Sequence, residues 1–194
     1  MSMNRMGIAA GLVCVLLCGT GRADNIDDLM EKIRQYTDAE NYPKALEEVT
    51  WLRKEIQTLN TGAITTMLPA KLGEFGGGDA KVESVMGMTS VQKPYTKGRE
   101  TVNLNLTQMG SGGMGGIAGL GAMAAMMGNS QNAVRILGFT ARIQAQGNTS
   151  KLTVFLDGAT LELRINRAKT GLALKTLAEQ LPLKELNTYM RGQK

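Results

Sequence analysis

The sequence predicts an α+β protein: an N-terminal helical hairpin, then a mainly antiparallel β-sheet packed by C-terminal helices. Three observations carry this expectation. Apolar residues recur at helical spacing through residues 24–60 and again near the C-terminus. From Lys81 onward the apolar period drops to two, the repeat of a strand with one buried face. Asp157-Gly158 lies between two such alternating runs, a strong short-range signal for a β-hairpin.

Residues 1–23 have the three parts of a secretory signal. Arg5 supplies a positive start, residues 6–17 are uncharged and mostly apolar, and Gly21-Arg22-Ala23 offers small residues for cleavage before Asp24. Twelve residues cannot cross a hydrocarbon core, which needs about 20. The expected destination is export, to a periplasmic compartment. A lipoprotein anchored at Cys18 is the minor alternative, because Leu17 is larger than the residue that usually precedes a bacterial lipidation site. Losing Arg5 and Arg22 takes the 22 basic residues to 20 against 17 acidic, a balance of +3. Such a mild, scattered excess gives no footprint for nucleic acid.

The first helix is expected from Ile26, Leu29, Met30, Ile33 and Tyr36, with Asp24, Asp27 and Asp28 favourable at its positive end. Pro43 suits the first turn of a second helix, whose apolar face is Ala45, Leu46, Val49, Leu52, Ile56 and Leu59. The turn between them falls near residues 39–42. Tyr36 and Ala45, nine apart across this turn, resemble the tyrosine and small alanine of a tetratricopeptide repeat. The likeness covers about 30 residues and lacks that family's tryptophan and glycine positions. No second copy follows, so it implies one helical hairpin and not a solenoid.

Residues 61–80 are expected to form a linker, with Asn60-Thr61-Gly62 and Gly76-Gly77-Gly78-Asp79 as breakers. The glycine cluster lacks the Gly-Lys-Ser/Thr of a phosphate loop and reads as a turn. The domain proper is residues 81–194. Residues 82–93 are assigned a strand. Val102, Leu104 and Leu106 alternate with polar residues, as do Phe139, Ala141, Ile143 and Ala145. Leu152, Val154 and Leu156 lead into the Asp157 turn, Leu161, Leu163 and Ile165 lead away, and Gly147-Asn148 makes the preceding turn. Leu174, Leu177, Ala178 and Leu181 form one helical stripe; after Pro182, Leu183, Leu186, Tyr189 and Met190 form another. An entry through Leu68-Pro69, this sheet and a closing helix are similar in layout to the Mog1/PsbP-like fold. That resemblance covers residues 67–191 as an order of elements; the fold is used by exported bacterial lipoproteins and photosystem accessory proteins, and a shared order of elements carries no function by itself. The chain also resembles exported bacterial proteins with a Gly/Ala/Met-rich insert before a similar hairpin and helix.

Between Glu100 and Arg135 no residue is charged, and residues 110–128 contain eight glycines, four alanines and four methionines. Glycine costs about 1 kcal/mol against alanine in a helix interior, so this is an unlikely composition for an ordinary core helix. A solvated linker would not concentrate methionine. Four readings are open. The segment folds over the domain's own core. It docks on a protein partner, with methionine adapting to an irregular groove. It contacts a membrane, Gly112/Gly116 and Gly115/Gly119 having the small-residue spacing of close helix packing in lipid. Or Met123, Met126 and Met127, with Met86 and Met88, bind a soft metal through thioethers. The contact residues for a partner or membrane are Met114, Ile117, Leu120, Met123, Met126 and Met127.

No histidine occurs, and Cys14 and Cys18 both precede the cleavage point, which removes histidine- and cysteine-based catalysis from the processed chain. Ser90-Val91-Gln92-Lys93 and Lys169-Thr170-Gly171 match the S-x-x-K and K-T-G elements of penicillin-binding proteins and serine β-lactamases. Their contexts are wrong: Ser90 lies in a strand-like run, the lysine triplet precedes a helix, and S-D-N is missing. Asp157 and Glu162 read as turn and surface residues. Arg164, Arg167 and Lys169 read as ordinary strand-end charges that could also grip an anion. The sequence therefore implies an exported, non-enzymatic accessory or binding protein of the cell envelope. No catalytic residue or cofactor is implied, and the alternative is a methionine-based Cu(I) carrier.

Overall fold

The computed structural model describes residues 21–85, 88–109, 133–166 and 171–193. Two helices open the chain: α1, Gly21–Asp38, and α2, Tyr42–Met67. Nine strands follow among the described residues: β1 Lys71–Leu72, β2 Phe75–Gly77, β3 Lys81–Val85, β4 Met88–Lys97, β5 Glu100–Met109, β6 Ala133–Ile136, β7 Phe139–Gln146, β8 Thr149–Leu156 and β9 Ala159–Asn166. Two short helices, α3 (Gly171–Ala178) and α4 (Leu183–Met190), complete the α+β architecture. The chain divides into two compact units, Met1–Gln57 and Thr58–Lys194, and α2 runs through the division.

In the first unit the helices reverse at residues 39–41, where the expected turn falls. The Asn41 amide donates to the Tyr36 carbonyl (2.8 Å), and Glu40 takes a left-handed φ of 55°. Leu29 and Ala45 are buried, while Ile26, Ile33, Tyr36 and Leu52 are half-buried.

The expected linker at 61–80 is corrected. The helix passes through Asn60-Thr61-Gly62 to Met67, and residues 71–77 form the β1–β2 hairpin. Side-chain partners in the second unit hold the extended end. Asn60 donates to Gln108 Oε1 and accepts from the Tyr189 hydroxyl, each at 3.0 Å, while Thr61 and Ile64 are buried. These contacts outweigh the helix penalty of Gly62.

All sheet pairings are antiparallel, in the order β1-β2-β4-β5-β9-β8-β7-β6, with β3 also pairing with β4. The single strand expected over 82–93 is thus two strands, β3 and β4. The Asp157-Gly158 and Gly147-Asn148 hairpins form as the sequence indicates. Alternation gives the sheet one apolar face: Val91, Tyr95, Val102, Leu104, Leu106, Ala141, Leu152, Val154, Leu161 and Leu163 are each at most 1% exposed. Leu174, Ala178, Leu183 and Leu186 of α3 and α4 join this core. Burying each such leucine contributes roughly 1.5–3 kcal/mol against exposure.

The opposite face carries Ser90, Gln92, Asn105, Thr107, Thr153, Thr160 and Glu162, all half-buried. Because β9 inserts between β5 and β8, β5 and β6 run in the same direction with three strands between them. Residues 110–132 join those two strands and lie outside the described residues.

Candidate functional site

The helical pair presents a surface that its own unit does not cover. Of the apolar face expected on α2, only Ala45 is buried and Leu52 half-buried. Leu46 is 67% exposed, Val49 43%, Ile56 51% and Leu59 39%. Tyr42, Leu46, Val49 and Ile56 fall within an arc of about 80° at 3.6 residues per turn, so they form one stripe along the first unit's part of α2. Trp51, on another side, is 53% exposed, with Lys54 Nζ 4.9 Å from its ring centroid. Large apolar residues exposed together along one helix face are the pattern that contact surfaces use.

The charge of this unit gives the surface a sign. Residues 24–57 hold nine acidic and five basic side chains, net −4. Thr58–Lys194 holds eight acidic and fifteen basic, net +7. The mild overall balance therefore conceals two units of opposite charge. A counterpart for the α2 stripe would be apolar at its centre and basic at its rim.

The contact residues named from sequence, Met114, Ile117, Leu120, Met123, Met126 and Met127, all lie outside the described residues, as does Met86. Met88 is 48% exposed at the start of β4, and its register partner across the ladder is Met109. The strand register thus pairs two methionines at the end of β5, next to the methionine-rich segment.

The penicillin-binding resemblance fails geometrically. Three residues apart on β4, Ser90 and Lys93 point to opposite faces. Ser90 Oγ donates to Asn105 Oδ1 at 2.6 Å on the polar face, whereas Lys93 Nζ donates to the Leu68 carbonyl at 3.3 Å. Lys169 and Thr170 lie outside the described residues, and Gly171 opens α3.

Asp157 has a structural assignment. Its carboxylate accepts from Asn187 Nδ2 (2.9 Å) and Arg191 Nε (2.5 Å), and its amide donates to Asn187 Oδ1 (2.8 Å). This ties the β8–β9 turn to α4. The Asn187 bond, assisted by Arg191, holds the Asp157 carboxyl below the ordinary aspartate range. A depressed carboxylate pKa adds stability above its unfolded value, and that stability is lost as pH falls through the folded value. The wild-type melting temperature should therefore drop below about pH 4, where an ordinary aspartate takes up its proton. Asn187→Ala should flatten that acid limb and cost about 1–3 kcal/mol at neutral pH, because Asn187 is buried and bonds twice to Asp157. Thermal melts from pH 2 to 7 on both proteins check this.

Glu162 pairs with Lys151 at 3.4 Å on the polar face of the sheet, so both acids weighed from the sequence sit in ordinary ion pairs. Arg164 stands beside that pair, while Arg167 lies outside the described residues. Among the described residues, no three His, Cys, Asp or Glu side chains are grouped to hold a metal ion, and no helix is long and apolar enough to cross a membrane. No family model, curated protein or solved structure matches the chain.

Proposed function

We propose that this is an exported, non-enzymatic accessory protein of the cell envelope that acts by binding a protein partner. The observation that carries the reading is the exposed stripe Tyr42, Leu46, Val49 and Ile56 on an acidic helical pair. Its net charge of −4 disfavours an anionic membrane and favours a basic, apolar protein segment. The charge-free segment 110–128 is a second contact in this reading. Export and the signal at residues 1–23 are part of the same proposal.

A photo-crosslinking amino acid at position 46 or 56, in the native host, tests it. One discrete adduct should form at both positions and be absent with the crosslinker at Glu185, an exposed residue of α4. Val49→Glu, between the two positions, should remove the adduct while the purified protein keeps its melting temperature. Apolar anchors at the centre of an interface cost about 2 kcal/mol or more, roughly 30-fold in affinity. Absence of an adduct at both positions would overturn the reading.

A methionine-based Cu(I) carrier is the second reading, and the Met88–Met109 register favours it. Metal analysis of protein purified from copper-supplemented cells decides it. Retained stoichiometric copper, lost in Met88→Leu/Met109→Leu, supports the carrier; copper-free protein removes it.

A further inference from the structure

The polar face of the sheet carries a second feature, independent of the helical pair. Arg142, Lys151 and Arg164 belong to β7, β8 and β9, and sequence alone gives no sign that they meet. The ladder brings them together: Lys151 lies directly opposite Arg164, and Arg142 lies opposite Thr153, two residues along from Lys151. Neighbouring strands are about 4.8 Å apart, so Lys151 and Arg164 are direct neighbours on this face, and Arg142 lies diagonal to Lys151 on the next strand. Like charges directly opposite in a ladder are destabilising, so a face that served only solvation would not favour this pairing.

Glu162 is the acid inside the patch, and its 3.4 Å pair with Lys151 leaves the two arginines. Among the described residues neither Arg142 nor Arg164 has a carboxylate partner. Arg142 is half-buried, and its Nε is shielded from solvent with no hydrogen-bond acceptor. A shielded charged donor without an acceptor is costly, and such a group in a folded protein calls for a missing partner. Asn103, Asn105, Thr153 and Gln144 surround the cations with neutral hydrogen-bonding side chains. The unit's net charge of +7 draws anions toward it.

We propose that Arg142 and Arg164, with Lys151, form a site for a phosphate-type oxyanion on the polar face of the sheet. A carboxylate has two oxygens and satisfies one guanidinium in the fork geometry. A phosphate offers three or four oxygens and accepts from several cations at once, which suits donors on three strands. The phosphate belongs either to a soluble ligand or to a lipid headgroup presented at a membrane surface.

Two titrations of the full purified chain test the site, followed by NMR of the arginine Nε–H signals. One uses inorganic phosphate and the other phosphatidylglycerol vesicles, with phosphatidylcholine vesicles as the neutral control. Saturable shifts of the Arg142 and Arg164 signals with inorganic phosphate identify a soluble ligand. Response to phosphatidylglycerol alone identifies a headgroup. Arg164→Gln, an exposed position that leaves the core intact, should weaken binding about tenfold or more, as expected for a lost charged hydrogen bond. Lys184→Gln, an exposed cation on α4, should leave it unchanged. No response to either probe, or equal loss in both variants, would overturn the site. Either result leaves the helical-pair reading untouched, because that reading is scored by crosslinking in the other unit.

Discussion

Tyr95→Ala should lower the stability of the sheet unit by about 3–5 kcal/mol, read as a drop in the denaturant midpoint at unchanged slope. Tyr95 has no exposed surface, and its hydroxyl donates to the Pro69 carbonyl at 3.0 Å. The ring therefore fills the core while its polar end secures the corner by which α2 enters the sheet. Tyr95→Phe separates these contributions: it keeps the ring, strands the carbonyl, and should cost only about 1–2 kcal/mol. Burial also pushes the Tyr95 hydroxyl up to about 12 from an ordinary 10.0. A raised folded pKa means stability that is complete below the unfolded value and lost as pH rises through the folded one. Wild-type protein should lose stability between about pH 10 and 12 by more than Tyr95→Phe does. Equal alkaline limbs in the two proteins would show that Tyr95 is not the titrating group.

Gly77→Val should be the next most damaging change, at about 1–3 kcal/mol. A Cβ at Gly77 would lie 2.9 Å from the Ala70 carbonyl oxygen, 3.0 Å from Lys93 Cε and 3.1 Å from Tyr95 Cε1. Lysine can swing away, but the carbonyl belongs to the backbone and accepts the Gly77 amide at 2.8 Å. The glycine is required by close approach of the β2 backbone to the chain entering from α2. Gly77→Ala should cost less, and Gly76→Ala, whose nearest neighbour would be 3.9 Å away, should cost little beyond strand propensity. Gly77 and Tyr95 touch, so Gly77→Ala combined with Tyr95→Ala should depart from additivity, the removed ring making room for the new methyl. Urea melts of the two single variants and the double variant measure that departure.

The large sheet was legible because its strands bury one face: Leu152, Val154 and Leu156 write their own period, and Asp157-Gly158 marks the turn. The end of α2 was not legible. Asn60-Thr61-Gly62 has the composition of a break, and it is held helical by distant partners such as Gln108 and Tyr189, 48 and 129 residues further along the chain, and by burial of Thr61 and Ile64. Strands β1 and β2, of two and three residues, are too short to show any period. The apolar stripe of α2 was visible as a pattern, but periodicity says that a face is apolar, not whether its cover lies in the same molecule. Arg142 and Arg164 are 22 residues apart in sequence, and a register set by the two intervening turns places both on one face, on either side of β8.

The position of β9 has a consequence for how the sheet is made. Strands β3 to β5 and β7 to β9 are each built from neighbouring hairpins and can zip locally. The β5–β9 seam joins residues between 51 and 63 positions apart, from Gln108↔Ala159 to Val102↔Ile165. It is the pairing of highest contact order among the described strands, and closing it is expected to be slow. Until β9 has been synthesised, β5 presents an unpaired edge lined by Val102, Leu104 and Leu106, the very template on which chains add to one another. Of the seams among the described strands, that one waits longest for its second strand to be made.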